Sequence, residues 1–94
     1  MTTIRQALGD GPLKKILIVD DENLMRYSLT ATFKDADADV MSAATGEEAL
    51  QAIGRNRFDL CFLDIHLPDM NGLDIMRYLH ARCRETRIVM MTGG

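Results

Sequence analysis

Three apolar runs in this chain end on oxygen-bearing side chains. Residues 16–19 lead into Asp20 and Asp21, the segment from Phe58 leads into Asp64, and residues 88–91 lead into Thr92. The runs are rich in Ile, Val, Leu and Met and lack clean alternation, the pattern of strands covered by helices on both faces. Strands of that kind lie in parallel sheets, and an open parallel sheet binds its ligands outside the carboxyl ends of its strands. The four polar residues are therefore expected to gather at one edge.

Three carboxylates brought together repel one another and hold their protons unless a cation joins them. The ligand set is all oxygen, with no His or Cys cluster, which favours Mg2+ over zinc. Such a site suits phosphoryl transfer, where positioning and charge neutralisation do most of the catalysis.

The segments between the runs read as crossover helices. The first strand covers residues 16–20. A helix starting at Glu22 or Asn23 has Leu24, Tyr27, Leu29 and Phe33 as its apolar contacts and ends within residues 34–37. The second strand covers residues 40–44. Thr45, Gly46, Glu47 and Glu48 read as a helix start with acids where the dipole favours them, and Ala49, Leu50 and Ile53 form the inner face. The third strand covers residues 58–64. Pro68 fixes the backbone of the loop after it and Gly72 ends that loop. Leu73, Ile75, Met76 and Leu79 then pattern a third helix, and residues 87–92 form a fourth strand. Alternating strands and helices with short links call for right-handed crossovers and an α/β doubly wound parallel sheet.

Residues 1–13, with Gly9, Gly11 and Pro12, read as a leader. The chain of 94 residues has the length of one domain, and its 47% hydrophobic content supplies a core. A net charge of -3 argues against direct contact with nucleic acid, which needs clustered Lys or Arg. No segment approaches the roughly 18 to 20 apolar residues that cross a bilayer, and residues 1–11 lack the apolar core of a signal peptide. A cytoplasmic location is expected. Cys61 in the third strand and Cys83 near a helix end suit reduced thiols, with Cys61 as core packing. Met70, Met76, Met90 and Met91 read as packing residues, His80 as helix surface, and Asp69 as an exposed loop residue with no part in a metal site.

The three strand-tip motifs occur in an order and at spacings that resemble the receiver domain of two-component response regulators, from about Lys15 to Thr92. The resemblance implies a flavodoxin-like fold with strand order 2-1-3-4. It implies that Asp64 is the phosphoacceptor, attacking a phosphohistidine on a sensor histidine kinase to give an aspartyl phosphate. Asp21 would be a direct Mg2+ ligand beside Asp64 and the backbone carbonyl of His66, with Asp20 acting largely through a water. The Thr92 hydroxyl and the backbone N–H groups of His66 and Gly93 would hold the phosphoryl oxygens, as preorganised donors do. The His66 side chain would tune hydrolysis. The protein so implied is a signalling switch with self-phosphorylation and autodephosphorylation, not a conventional enzyme. Asp37 falls where the family often has a Gly in a left-handed turn, a conformation that Asp tolerates better than most residues.

A receiver normally continues through another helix, a fifth strand ending in Lys, and a last helix, roughly 30 residues by mean element lengths. Residues 14–94 are thus expected to be an incomplete receiver domain lacking the fifth strand and its flanking helices. It would be a piece of a longer regulator, or be completed by self-association through the exposed fourth-strand edge. The ending from Met90 to Gly93 is loosely similar to receivers of transcriptional activators. Two other readings compete. One is a non-switching receiver fragment acting only as a binding or assembly module. The other is a phosphohydrolase with an Asp nucleophile, against which stands His66 where the second acid would be.

Overall fold

The computed structural model describes residues 14–91, and the leader assigned to residues 1–13 lies outside them. Four strands, β1 (Lys15–Val19), β2 (Asp39–Ala43), β3 (Leu60–Asp64) and β4 (Arg87–Met91), form one sheet in the order β2-β1-β3-β4. All three pairings are parallel. The connecting helices are α1 (Asn23–Asp35), α2 (Gly46–Arg55) and α3 (Gly72–Arg82). This is the doubly wound order expected from the sequence.

The strands alternate between two cores, which explains their unbroken hydrophobicity. Leu17, Val19, Cys61 and Leu63 face Ala49 and Ile53 of α2 and Ile75 and Leu79 of α3. Ile16 and Ile18 face Phe33 of α1, with Leu29, Leu60 and Phe62 beside them. The Phe33 and Phe62 rings lie 5.1 Å apart at 48°, the tilted geometry that the ring quadrupoles favour.

One part of the helix reading is corrected. Leu29 and Phe33 of α1 pack as expected, but Leu24 and Tyr27 are 77% and 75% exposed. At about 100° per residue, Leu24 stands about 180° around the helix from Phe33. Apolar residues surround this helix, so their presence alone does not mark the inner face. The chain after α1 turns through Asp37 at φ 61°, the left-handed residue expected there. The third strand starts at Leu60 and not at Phe58. The backbone nevertheless pairs earlier, since Asp59 N–H donates to the Lys15 carbonyl and Arg87 N–H to the Asp59 carbonyl.

The amino ends of the strands are tied by side chains. The buried Thr86 hydroxyl donates to the Phe58 carbonyl at 2.6 Å, and Lys15 Nζ donates to Asn56 Oδ1 at 2.7 Å. These bonds leave the carboxyl edge of the sheet as the place where polar groups converge. Among the described residues, no helix is long and apolar enough to cross a membrane.

Candidate functional site

Parallel pairing carries Asp20, Asp21 and Asp64 to the same sheet edge. Val19 is in register with Leu63, and Asp64 is the last residue of β3, opposite Met91. Asp20 continues the β1 pairing by donating its N–H to the Ala43 carbonyl at 3.1 Å. One carboxylate oxygen from each of Asp20, Asp21 and Asp64 lies within 4.8 Å of the others. Asp20 and Asp64 are 5% and 4% exposed, while Asp21 is open to solvent.

Backbone donors orient two of the three. Asp20 Oδ1 accepts from Glu22 N–H at 2.8 Å, and Asp64 Oδ1 accepts from His66 N–H at 3.0 Å. The Arg26 guanidinium does not neutralise the cluster: it donates to the Asp20 carbonyl at 2.6 Å and to Asn23 Oδ1. Among the described residues, no Lys or Arg forms an ion pair with the three carboxylates. Burial pushes the Asp64 carboxyl above its usual range against the His66 N–H, and the Asp20 and Asp21 charges push it further up. Crowded, all-oxygen donors, two of them buried, without a protein cation beside them fit a hard divalent ion.

The loop after Asp64 is held at both ends. His66 pairs with Asn71 in an isolated antiparallel bridge, and Gly72 N–H donates to the Ile65 carbonyl at 2.7 Å. A Cβ on Gly72 would lie 2.2 Å from the Asp64 carbonyl oxygen and 2.9 Å from Ile65 Cα. Only glycine lets the start of α3 approach the strand end so closely. Asn71 caps that helix by accepting from Leu73 N–H at 2.8 Å.

Sequence reading gave Asp69 no role beyond exposure, yet its carboxylate caps a different helix. Its two oxygens accept from Gly46 N–H at 2.7 Å and Glu47 N–H at 2.9 Å, at the start of α2. These bonds hold the Asp69 carboxyl below its usual range. The neighbouring Met70 side chain occupies the space where a Cβ on Gly46 would fall, with Cγ 2.3 Å from that position. The backbone carbonyl of His66 belongs to this same loop. Thr92 and Gly93, the remaining expected site residues, lie outside the described residues.

A doubly wound sheet with a buried aspartate at the end of its third strand and two more at the end of its first defines a class of α/β signalling proteins. The chain belongs to the response regulator receiver domain family, matched over residues 16–94. It is 40% identical over 80 residues to the response regulator protein PilR of Pseudomonas aeruginosa, covering 85% of this chain and 18% of that protein. A CheY-like receiver domain protein from Methanospirillum hungatei superimposes with a TM-score of 0.84 at 35% identity, covering 87% of this chain and 66% of that one. The response regulator TrrA of Thermotoga maritima, solved in complex with Mg2+ and BeF, gives 0.77 at 31% identity, covering 83% of this chain and 68% of that one. The chain thus spans under a fifth of the length of the Pseudomonas regulator. Receiver domains are signalling phosphoacceptors, so phosphorylation-dependent signalling is the class of role that the family assigns.

Proposed function

We propose that this chain accepts a phosphoryl group from a sensor histidine kinase onto Asp64, with Mg2+ held by Asp20, Asp21, Asp64 and the His66 carbonyl. The observation that carries the reading is the convergence of three carboxylate oxygens within 4.8 Å around a buried, strand-terminal Asp64. A receiver relative solved with Mg2+ and BeF supports it.

A carboxylate oxygen of Asp64 attacks phosphorus in line with the imidazole leaving group. The P–O bond to Asp64 forms as the P–N bond breaks, and the nitrogen keeps the electron pair and takes a proton from solvent. The His66 N–H fixes the Asp64 rotamer before attack, so little reorganisation is needed. Bound Mg2+ supplies neutralisation of the charge on the phosphoryl oxygens. The His66 and Gly93 N–H groups and the Thr92 hydroxyl serve as phosphoryl donors. Water attack on the same phosphorus returns Asp64, which makes the protein a timed switch. Leu24, Met25 and Tyr27, exposed on the first turns of α1 just after Asp21, offer an apolar face for the kinase beside the pocket.

The test is incubation with Mg2+ and acetyl phosphate, followed by intact mass. Expected is a gain of one phosphoryl group that does not form when the metal is chelated beforehand and is absent in Asp64→Asn. A folded protein that gains none would support a receiver that only binds partners.

A further inference from the structure

We propose that Asp69 is a positioning residue for phosphoryl transfer at Asp64, acting through the loop that carries His66. The role rests on the reading of Asp64 as the phosphoacceptor, and the experiment below separates the two.

The topology carries the argument. In the order β2-β1-β3-β4, β1 lies between β2 and β3. Asp20 and Asp21 stand at the tip of β1, while His66 to Asn71 follow β3 and the start of α2 follows β2. The two Asp69 hydrogen bonds to Gly46 and Glu47 therefore join the loops on either side of the β1 tip. Met70, packed into the space above Gly46, makes the same crossing one residue later.

The His66–Asn71 bridge and the Gly72 contact fix the loop relative to β3 and α3 only. The pairing of β3 with β1, through Val19 and Leu63, already places the root of the loop beside the β1 carboxylates, but none of these contacts ties the outer loop to the β2 side of the β1 tip. The Asp69 clamp supplies that second tie and so steadies the His66 backbone against Asp20 and Asp21. Because Asp69 comes from a loop 22 and 23 residues away, the bonds that cap α2 also tie two loops together. Thr45 already caps the same helix locally, accepting from Glu48 N–H at 3.2 Å.

The experiment compares Asp69→Ala, Asp69→Asn and Thr45→Ala with the wild-type chain. Three quantities are read: the rate of Mg2+-dependent modification by acetyl phosphate, the Mg2+ dissociation constant, and hydrogen exchange at the His66 amide. Thr45→Ala removes a cap from α2 without touching the loop and reports what loss of capping alone does. Asp69→Ala is expected to lower the rate and weaken Mg2+ on the order of tenfold, as loss of an orienting partner does, and to speed His66 exchange. Asp69→Asn keeps one acceptor oxygen and should restore part of each. Thr45→Ala should lower the thermal midpoint and leave the other three readings at wild-type values.

Equal rates, Mg2+ affinities and His66 exchange in wild type and Asp69→Ala would overturn the positioning role alone. So would an equal loss in Thr45→Ala, because capping of α2 would then explain the effect. A wild-type chain that takes up no phosphoryl group would overturn the reading of Asp64, and this role with it.

Discussion

Burial and two neighbouring carboxylates act on Asp64 in the same direction, so the metal-free protein carries a built-in electrostatic cost. Its folded carboxyl lies above the 3.8 of an unperturbed Asp. A raised folded pKa gives stability that is fully present below the unfolded value and lost as pH rises through the folded one. Metal-free protein should therefore lose stability relative to Asp64→Asn as pH climbs from the ordinary carboxylate range towards neutrality. Thermal midpoints in chelator across that range would show it, and curves that stay parallel would count against it. Mg2+ should reverse the cost, adding about 1.4 kcal/mol per tenfold increase in free Mg2+ above its dissociation constant, with most of the gain absent in Asp64→Asn. The two thiols separate as clearly. Burial pushes Cys61 up to about 12, whereas the Thr86 hydroxyl draws the half-buried Cys83 below its ordinary value. Since the thiolate is the reactive form, a disulfide reagent on the native protein should label Cys83 quickly and Cys61 only on unfolding, with peptide mapping to assign the label. Asp20, Asp21 and Asp64 were legible in the sequence because they close short apolar runs with the composition and length of buried strands. Asp69 was not, because its partners Gly46 and Glu47 meet it only after two crossovers fold.

Glycines show how the elements divide the work of holding the site. Gly72 begins α3 against the backbone of Asp64, where a Cβ would meet a carbonyl oxygen at 2.2 Å. Backbone at that distance cannot rotate away as a side chain can, so Gly72→Ala should cost about 3 kcal/mol. It should also displace the strand end that presents Asp64. Gly54, inside α2, has nothing within 4 Å of an added Cβ. There Ala restricts the unfolded chain without strain, and Gly54→Ala should stabilise by about 0.5 to 1 kcal/mol. Urea denaturation of both variants checks the pair, and a neutral Gly72→Ala would mean that the loop relaxes freely. The same contrast explains what the sequence showed of the elements. Gly72 was readable as the end of a loop, but its closeness to Asp64 is a tertiary fact. The face of α1 was misread because Leu24, Met25 and Tyr27 continue the apolar character of Leu29 and Phe33 around the helix. In α2 the apolar Ala49 and Ile53 stand apart from Glu47 and Glu48, and the inner face was clear.

Across the whole molecule, the parallel topology concentrates acids at one sheet edge and leaves a second feature at the side. The fold was readable because strands buried on both faces have a signature that no surface strand shares. The position of β4 follows from the same order: among the described residues it pairs with β3 alone. Ile88 and Met90 pack against the α2–α3 core, while Val89 points to the other face and is 42% exposed. An edge strand presents unpaired N–H and C=O groups to any chain that can align with it, and charge on the edge is what blunts that tendency. Arg87 supplies charge at the start of β4, but the following Ile, Val, Met and Met supply none. For the 94 residues as they stand, the expected outcome of that exposed edge is association through β4 at high concentration. Val89→Lys puts a charge at the middle of the edge and leaves the Ile88 and Met90 contacts in place. Loss of about 1.5 kcal/mol of apolar burial should weaken association roughly tenfold, with little change in thermal midpoint. Sedimentation velocity over a wide concentration range measures this. A wild-type chain that stays monomeric throughout would remove β4 as a contact surface, and association unchanged by Val89→Lys would move the contact to another face, with the exposed residues of α1 the next to substitute.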